Sequence, residues 1–418
     1  MKQTYTILRQ PKAPRDKQPV PGNLMRPRRE TTEEDADVQI EREELDTRDR
    51  AEVARDPEVR AIAPDMPTKL IAPLALDGVA TSGEAWGIGA VGALATHLDG
   101  SGSKVAVLDT GIDASHEAFL GVNLTQKDFS GTGNGDMNGH GTHCAGTIFG
   151  RDVGGTRIGV ARGVNEALIG KVLGNDGNGS SKMIFDAIEW ASREGADVIS
   201  MSLGFDFPGL VVWLTQNGWP VDIATSIALV NYRQNLRMFD ALMEVVRARA
   251  MLGNSSVVVA AAGNESRREM DVAFDVSAGL PAAADDVIAV AAAGQGAQGF
   301  TIADFSNTDA TISAPGVGVL SAAAGGDLVE FNGTSMACPH VAGVCALLWQ
   351  ELRDDPQVPA TATGVVARLL ARAQTDVFAA GTELADRGAG MAFVGESVGG
   401  PAIAEAGDAT VTPAATTA

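Results

Sequence analysis

The sequence predicts an α/β protein: a mainly parallel central sheet with helices on both faces, three layers in all. Three observations carry this. Short, purely apolar runs recur between residues 104 and 292, as strands buried on both faces require. Stretches of helical period separate them. Hydrophobic residues make up 45% of the 418, ample for a real core.

Residues 1–75 stand apart as a small α+β segment. Tyr5-Thr6-Ile7-Leu8 reads as a short strand, Pro11 to Asp37 is rich in proline and charge, and Val38-Gln39-Ile40 is a second weak strand. Thr47 to Arg55 follows as a short charged helix and Val59 to Leu70 as an extended segment. The segment is too small and polar to fold robustly alone, and composition permits a disordered tail equally well. Ile71 to Ser82 reads as linker, with the boundary at 76–83, and a large domain is expected over 84–396. In it, Lys104 to Leu108, Ala167 to Leu173, Asp197 to Ser202, Val257 to Ala262 and Val287 to Ala292 are strands. Met183 to Glu194 and Thr361 to Arg372 are helices. Ile223 to Leu252 places Met238, Leu242, Val245 and Val246 on one face, predicting one or two helices outside the sheet. An apolar helix follows Asn332, and Pro339 is expected in its first turn, where an N–H would be unpaired anyway. Residues 397–418, rich in Ala, Thr, Gly and Pro, are expected to be a disordered tail.

Charge and cysteine content exclude several classes. With 32 Lys and Arg against 53 Asp and Glu the net charge is −21, which argues against nucleic acid and anionic membrane as partners. Three cysteines give no disulfide framework. Cys338 and Cys345 would lie about 10 Å apart along one helix, too far to bridge. Met1 to Arg29 has no apolar core of a signal peptide and no run is long enough to span a membrane, so a cytoplasmic setting is expected.

The chemistry sits in four short, glycine-containing turns. Asp109 follows a strand directly, in Val107-Leu108-Asp109-Thr110-Gly111, where open parallel sheets place their sites. His140 opens a helix in Asn138-Gly139-His140-Gly141-Thr142-His143-Cys144. No further ligand cluster accompanies His140 and His143, so no metal pair is expected. Ser335, in Asn332-Gly333-Thr334-Ser335-Met336, would sit at a helix N-terminus; taken alone the stretch favours a Ser cap on a core helix. Asn264, in Ala261-Ala262-Gly263-Asn264, puts an amide at a strand's carboxyl end, where it could donate to an oxyanion.

Asp, His and Ser in that order, with Asn264 between, resemble the subtilisin-like serine protease family (peptidase S8). Val107–Asp113, His140–Gly146, Ala260–Glu265 and Gly333–Gly343 carry the likeness. The resemblance implies a serine endopeptidase in which Ser335 attacks the peptide carbonyl, His140 shuttles the proton and Asp109 orients the imidazole. Asn264 and the Ser335 N–H would form the oxyanion hole. Gly177, Asn178 and Gly179 on one edge, and Ser202, Leu203 and Gly204 on the other, would clamp an extended polypeptide substrate as an added strand. Ala261, Ala262 and Gly263 would wall the pocket for the residue before the scissile bond, which their size predicts to be large and apolar. Residues 1–75 resemble a shortened propeptide, an intramolecular inhibitor removed by self-cleavage between Leu70 and Ser82.

The resemblance requires no cofactor. Calcium at the family's strong site is not expected, because Glu117-Ala118-Phe119 and Gly155-Thr156-Arg157-Ile158-Gly159 lack the matching Asp and Asn; Asp- and Gly-rich loops elsewhere leave a weak ion open. The insertion Phe205 to Asn254 either rims the cleft or forms a partner surface. A macrocyclising transpeptidase using the same acyl-enzyme, and a silent peptide-binding scaffold, are the alternatives.

Overall fold

Successive side chains along a strand face opposite sides, and here both sides are apolar. Val105 and Val107 enter one hydrophobic core while Ala106 and Leu108 enter a second. Val257 and Val259 divide from Val258 and Ala260 in the same way. Strands of this kind belong in the middle of three layers. The computed structural model, which describes residues 2–10, 38–74 and 85–395, has that architecture.

The N-terminal segment folds as a three-stranded antiparallel sheet, order β2–β1–β3, from β1 (Gln3–Arg9), β2 (Gln39–Leu45) and β3 (Val59–Pro64). Helix α1 (Thr47–Val53) joins the last two, capped by the Asp46 carboxylate, which accepts from the N–H groups of Arg48 and Asp49. Strand β4 (Pro67–Leu70) follows. Tyr5, Ile7 and Leu45 make a small core on one face of this sheet, and Leu8, Val38 and Ala63 join the large domain's second core.

The large domain continues through α2 (Trp86–Ala90), β5 (Lys104–Asp109), β6 (Asn123–Asp128), α3 (His140–Phe149), β7 (Glu166–Lys171), β8 (Asn178–Ser180) and α4 (Ser181–Arg193). Then come β9 (Val198–Met201), β10 (Leu203–Phe205), α5 (Phe207–Gln216), α6 (Val221–Arg249) and β11 (Val257–Ala261). The chain ends with β12 (Val287–Gly296), β13 (Gly299–Ile302), β14 (Ile312–Pro315), β15 (Val319–Ala322), β16 (Leu328–Phe331), α7 (Thr334–Asp354), α8 (Ala362–Arg372) and α9 (Leu384–Arg387). The central sheet runs β13–β12–β11–β9–β5–β7–β6, with β14 also on β12, and only β13 is antiparallel. Helices α3, α7 and α8 cover one face; α4 and α6 cover the other.

Several expectations change in detail. The extended run Val59 to Leu70 is two strands, β3 and β4. At the break the Asp65 carboxylate accepts from Ser181 Oγ (3.1 Å) and Lys182 N (3.4 Å) at the N-terminus of α4. The amphipathic run 223–252 lies in one long helix, α6, closed by a 3-10 turn over 250–252, with the four named residues buried. Pro339 lies in the second turn of α7, not the first, so its missing N–H leaves the Ser335 carbonyl without its helical partner. That carbonyl accepts from Ser202 Oγ (3.1 Å) and from Cys144 Sγ (3.4 Å) instead. Residues 71–74, read as the start of a linker, lie in the cleft beside Ser335. The proline-rich stretch 11–37, the boundary 76–83 and the tail 397–418 fall outside the described residues.

Candidate active site

Three elements deliver the central groups. Asp109 is the last residue of β5, His140 the first of α3 and Ser335 the second of α7. Asp109 Oδ1 lies 2.8 Å from His140 Nδ1, with both side chains 1% exposed, and the same oxygen accepts from Thr110 N at 2.7 Å. Buried away from water, this pair fixes the ring orientation through Nδ1 and leaves Nε2 as the ring's other nitrogen for proton transfer. His140 Nε2 has no hydrogen-bond partner among the described residues. Ser335 Oγ donates to the Ile71 carbonyl at 3.0 Å.

Asn264 is oriented by Thr334. Its Oδ1 accepts from both Thr334 N and Thr334 Oγ1 at 2.9 Å, so its amide nitrogen turns to the cleft, 3.3 Å from the Ala72 carbonyl. Gly333 allows this approach: a Cβ there would sit 3.0 Å from Asn264 Nδ2. The thiol of Cys144 lies 3.8 Å from His140 Nδ1 and is fully buried. Burial, then the neighbouring Asp109, pushes it well above an ordinary thiol, so it is a neutral packing group.

A polar clamp that sequence reasoning missed holds the turns together. Buried Asp136 accepts from Thr110 Oγ1 (2.9 Å), Asn138 N (3.0 Å) and Gly139 N (2.8 Å) through one oxygen. Its other oxygen accepts from Thr142 N (2.9 Å) and Thr142 Oγ1 (2.7 Å). Thr110 Oγ1 in turn accepts from Gly141 N at 2.9 Å. The residue after Asp109 and the residues flanking His140 are thus tied to one carboxylate. Glycine at 141 is needed there, since a Cβ would lie 2.2 Å from the Gly111 carbonyl oxygen. The available signal was position alone: an Asp four residues before the helix-opening His.

The predicted clamping edges flank one strand, and it belongs to this chain. Strand β4 lies between β8 and β10, antiparallel to both. Lys69 pairs with Asn178 and Gly204, Thr68 with Gly179, and Leu70 with Leu203, while Leu70 N donates to the Gly177 carbonyl at 2.8 Å. Ser202 stands nearer Ser335 than expected, its hydroxyl bonded to the Ser335 carbonyl. Ile71 lines a pocket of about 410 Å³ together with Gly204, Ala261, Ala262 and Gly263, with Tyr232 and Leu229 added by the insertion. Beyond Ser335, Asn332 brackets Leu74, accepting from its N–H at 2.9 Å and donating Nδ2 to its carbonyl at 2.8 Å. The insertion therefore rims the cleft. It also carries the N-terminal sheet, through Asn235 Nδ2 to the Pro64 carbonyl (3.0 Å) and Arg60 to Glu244 (3.2 Å), and holds β4 through Lys69 to Asp206 (2.8 Å).

A hydroxyl at a helix N-terminus, an imidazole held by a buried carboxylate and a fixed amide donor have the chemistry of acyl transfer. Beside a groove that takes a peptide strand, they define a hydrolase of the serine endopeptidase class. The chain belongs to the subtilase family, whose model matches residues 100–391. It is 33% identical over 287 residues to the major intracellular serine protease of Bacillus subtilis (strain 168), covering 66% of this chain and 77% of that one. An intracellular serine protease of Paenibacillus polymyxa is 34% identical over 257 residues, with 60% and 68% covered. Subtilisin DY of Bacillus licheniformis is 37% identical over 251 residues, with 60% and 77% covered. Among the described residues no helix is long and apolar enough to cross a membrane.

Proposed function

We propose that Asp109, His140 and Ser335 act as a catalytic triad, with Asn264 Nδ2 and the Ser335 N–H as the oxyanion hole, and that residues 1–74 hold the enzyme as an autoinhibited precursor. One observation carries both parts. A peptide strand of the chain itself lies between the predicted clamping edges, and the two residues that follow it, Ile71 and Ala72, put their carbonyls at the Ser335 hydroxyl and the Asn264 amide.

In the reaction Ser335 Oγ attacks the substrate carbonyl as His140 Nε2 takes its proton. Charge develops on the carbonyl oxygen, where the Asn264 amide waits in a geometry that needs no reorganisation. The imidazolium formed is stabilised by Asp109, then donates to the leaving amine, and water repeats the sequence on the acyl-enzyme.

The docked segment does not meet these requirements. Ser335 Oγ bonds the Ile71 carbonyl, whereas Asn264 reaches the carbonyl of the next residue, Ala72. Nucleophile and oxyanion donor address different peptide groups, and Ser335 spends its proton on Ile71 instead of on His140. This supports a segment bound as inhibitor, with maturation requiring it to shift or leave. The relatives named intracellular proteases support action inside the cell, where such restraint matters.

The test is intact mass of the purified chain beside Ser335→Ala, with fluorophosphonate labelling of each. The wild type is expected to lose roughly 70–80 N-terminal residues and to take one label, while Ser335→Ala stays whole and unlabelled. A wild type that takes no label after the N-terminal segment has been removed by a second protease removes Ser335 from the reaction. A labelled chain that is fully active at full length removes the autoinhibition.

A further inference from the structure

The loop after the His140 helix is where the family resemblance implies a strong calcium site, and the residues present do not fit one. Calcium takes six to eight oxygen ligands, carboxylates prominent among them. In residues 149–164 the backbone carbonyls that converge are already bonded to cations. Arg151 Nη1 donates to the Phe149 carbonyl at 3.1 Å and to that of Arg162, and its Nη2 donates to the Val164 carbonyl at 2.9 Å. Arg157 Nε donates to the Gly159 carbonyl at 3.2 Å and its Nη2 to the Val160 carbonyl at 3.0 Å. Across the loop, Ala118 offers no side-chain ligand and its carbonyl accepts from Arg151 N at 2.7 Å. The nearby carboxylate of Asp152 is exposed and turned to Arg162, at 3.1 Å.

We infer that the guanidinium groups of Arg151 and Arg157 organise this loop as internal cations, in place of a bound metal. Guanidinium suits this role because it is planar, always charged and weakly hydrated, and presents several donors in a fixed fork. Five carbonyls from one loop are gathered by two such forks, and a divalent ion placed among them would face two positive charges. The arrangement also serves the active site. Phe149 is the last residue of α3, so Arg151 places a cation on a C-terminal carbonyl of the helix whose first residue is His140. Asp136 fixes one end of that ten-residue helix and Arg151 the other. The inference is independent of the catalytic reading, since the loop is held in the same way whether or not Ser335 reacts.

The experiment uses the full chain with Ser335→Ala, which removes self-digestion, and reads amide hydrogen exchange over residues 149–164 in excess EGTA and in calcium. Exchange there is expected to be the same in both. In Arg157→Gln it is expected to speed up at least about tenfold in both, with melting lowered by about 3–6 °C and not restored by calcium. Should that variant fail to fold, Arg157→Lys, which keeps the charge and loses the fork, is expected to give a smaller change of the same kind. Faster exchange of this loop on chelating the parent would overturn the inference. So would exchange that neither arginine substitution alters.

Discussion

Five hydrogen bonds converge on the Asp136 carboxylate, and every donor belongs to the turn after Asp109 or to the start of the His140 helix. An Asn at 136 keeps the shape but presents an N–H₂ to groups that are themselves donors, leaving at least one buried N–H or hydroxyl unpaired. The Asp109–His140 geometry should loosen by a fraction of an ångström. We predict that Asp136→Asn lowers kcat by roughly 10–10² with little change in KM, because peptide binding lies on other elements. Steady-state rates per fluorophosphonate-titrated site check this, with the acid limb of the pH–rate profile alongside. A purely structural Asp136 would lower the titratable fraction and leave kcat per site and the profile alone. Asn264→Ala removes a donor directly, and kcat should fall about 10²–10³ at nearly constant KM. Asp109, His140, Ser335 and Asn264 were legible because each announces itself within a few residues, in a glycine-bearing turn at the end of a strand or the start of a helix. Asp136 was not. Its meaning lies in Thr110, twenty-six residues back in the chain, and nothing local marks the pairing.

At the scale of elements, β4 is four residues long yet hydrogen-bonded on both edges, and the residue after it is buried on the wall of a pocket. The alternation of apolar runs disclosed the central sheet, because period and burial are properties of each strand alone. It could not disclose that Val59 to Leu70 breaks. At the break Asp65 meets the N-terminus of α4, an element more than a hundred residues further on. Nor could it place the 205–254 insertion, whose amphipathic face is equally suited to a sheet and to a docked segment; the structure shows it packed on both. Because Ile71 is 5% exposed within an apolar pocket, Ile71→Asp would bury a carboxylate there without a partner. Full-length chain carrying this change should cleave a short chromogenic peptide at least about tenfold faster than the unprocessed parent, before any mass change. Equal initial rates for the two precursors would mean that Ile71 does not hold the segment down.

At the scale of the whole molecule, the native state should be sensitive to acid, and two buried histidines say over what range. His143 is enclosed against Phe331, its Nε2 turned to the carbonyls of Val319 and Val329; His340 lies inside α7, bonded through Nδ1 to the Met336 carbonyl. Burial is the first cause lowering each pKa from 6.5, to about 3 for His143, where the neighbouring His140 adds, and to about 4 for His340. Both rings are therefore neutral in the folded chain where the unfolded chain already binds protons. The sign follows: their contribution is fully present above pH 6.5 and is lost as pH falls from there toward 4, since the unfolded state takes up protons that the folded state refuses. Each ring contributes a slope of up to about 1.4 kcal/mol per pH unit in that window. Ser335→Ala chain, melted at intervals from pH 7.5 to 4, should lose stability steeply below pH 6.5. His340→Gln should be less stable at pH 7 but lose less on acidification, because one of the two rings that refuse a proton only in the folded state is gone. A parent whose melting temperature is flat down to pH 4.5 would mean that the buried imidazoles impose no acid sensitivity, and a His340→Gln profile parallel to a sloping parent would mean that the sensitivity resides in other groups, the carboxylates of this −21 chain first among them.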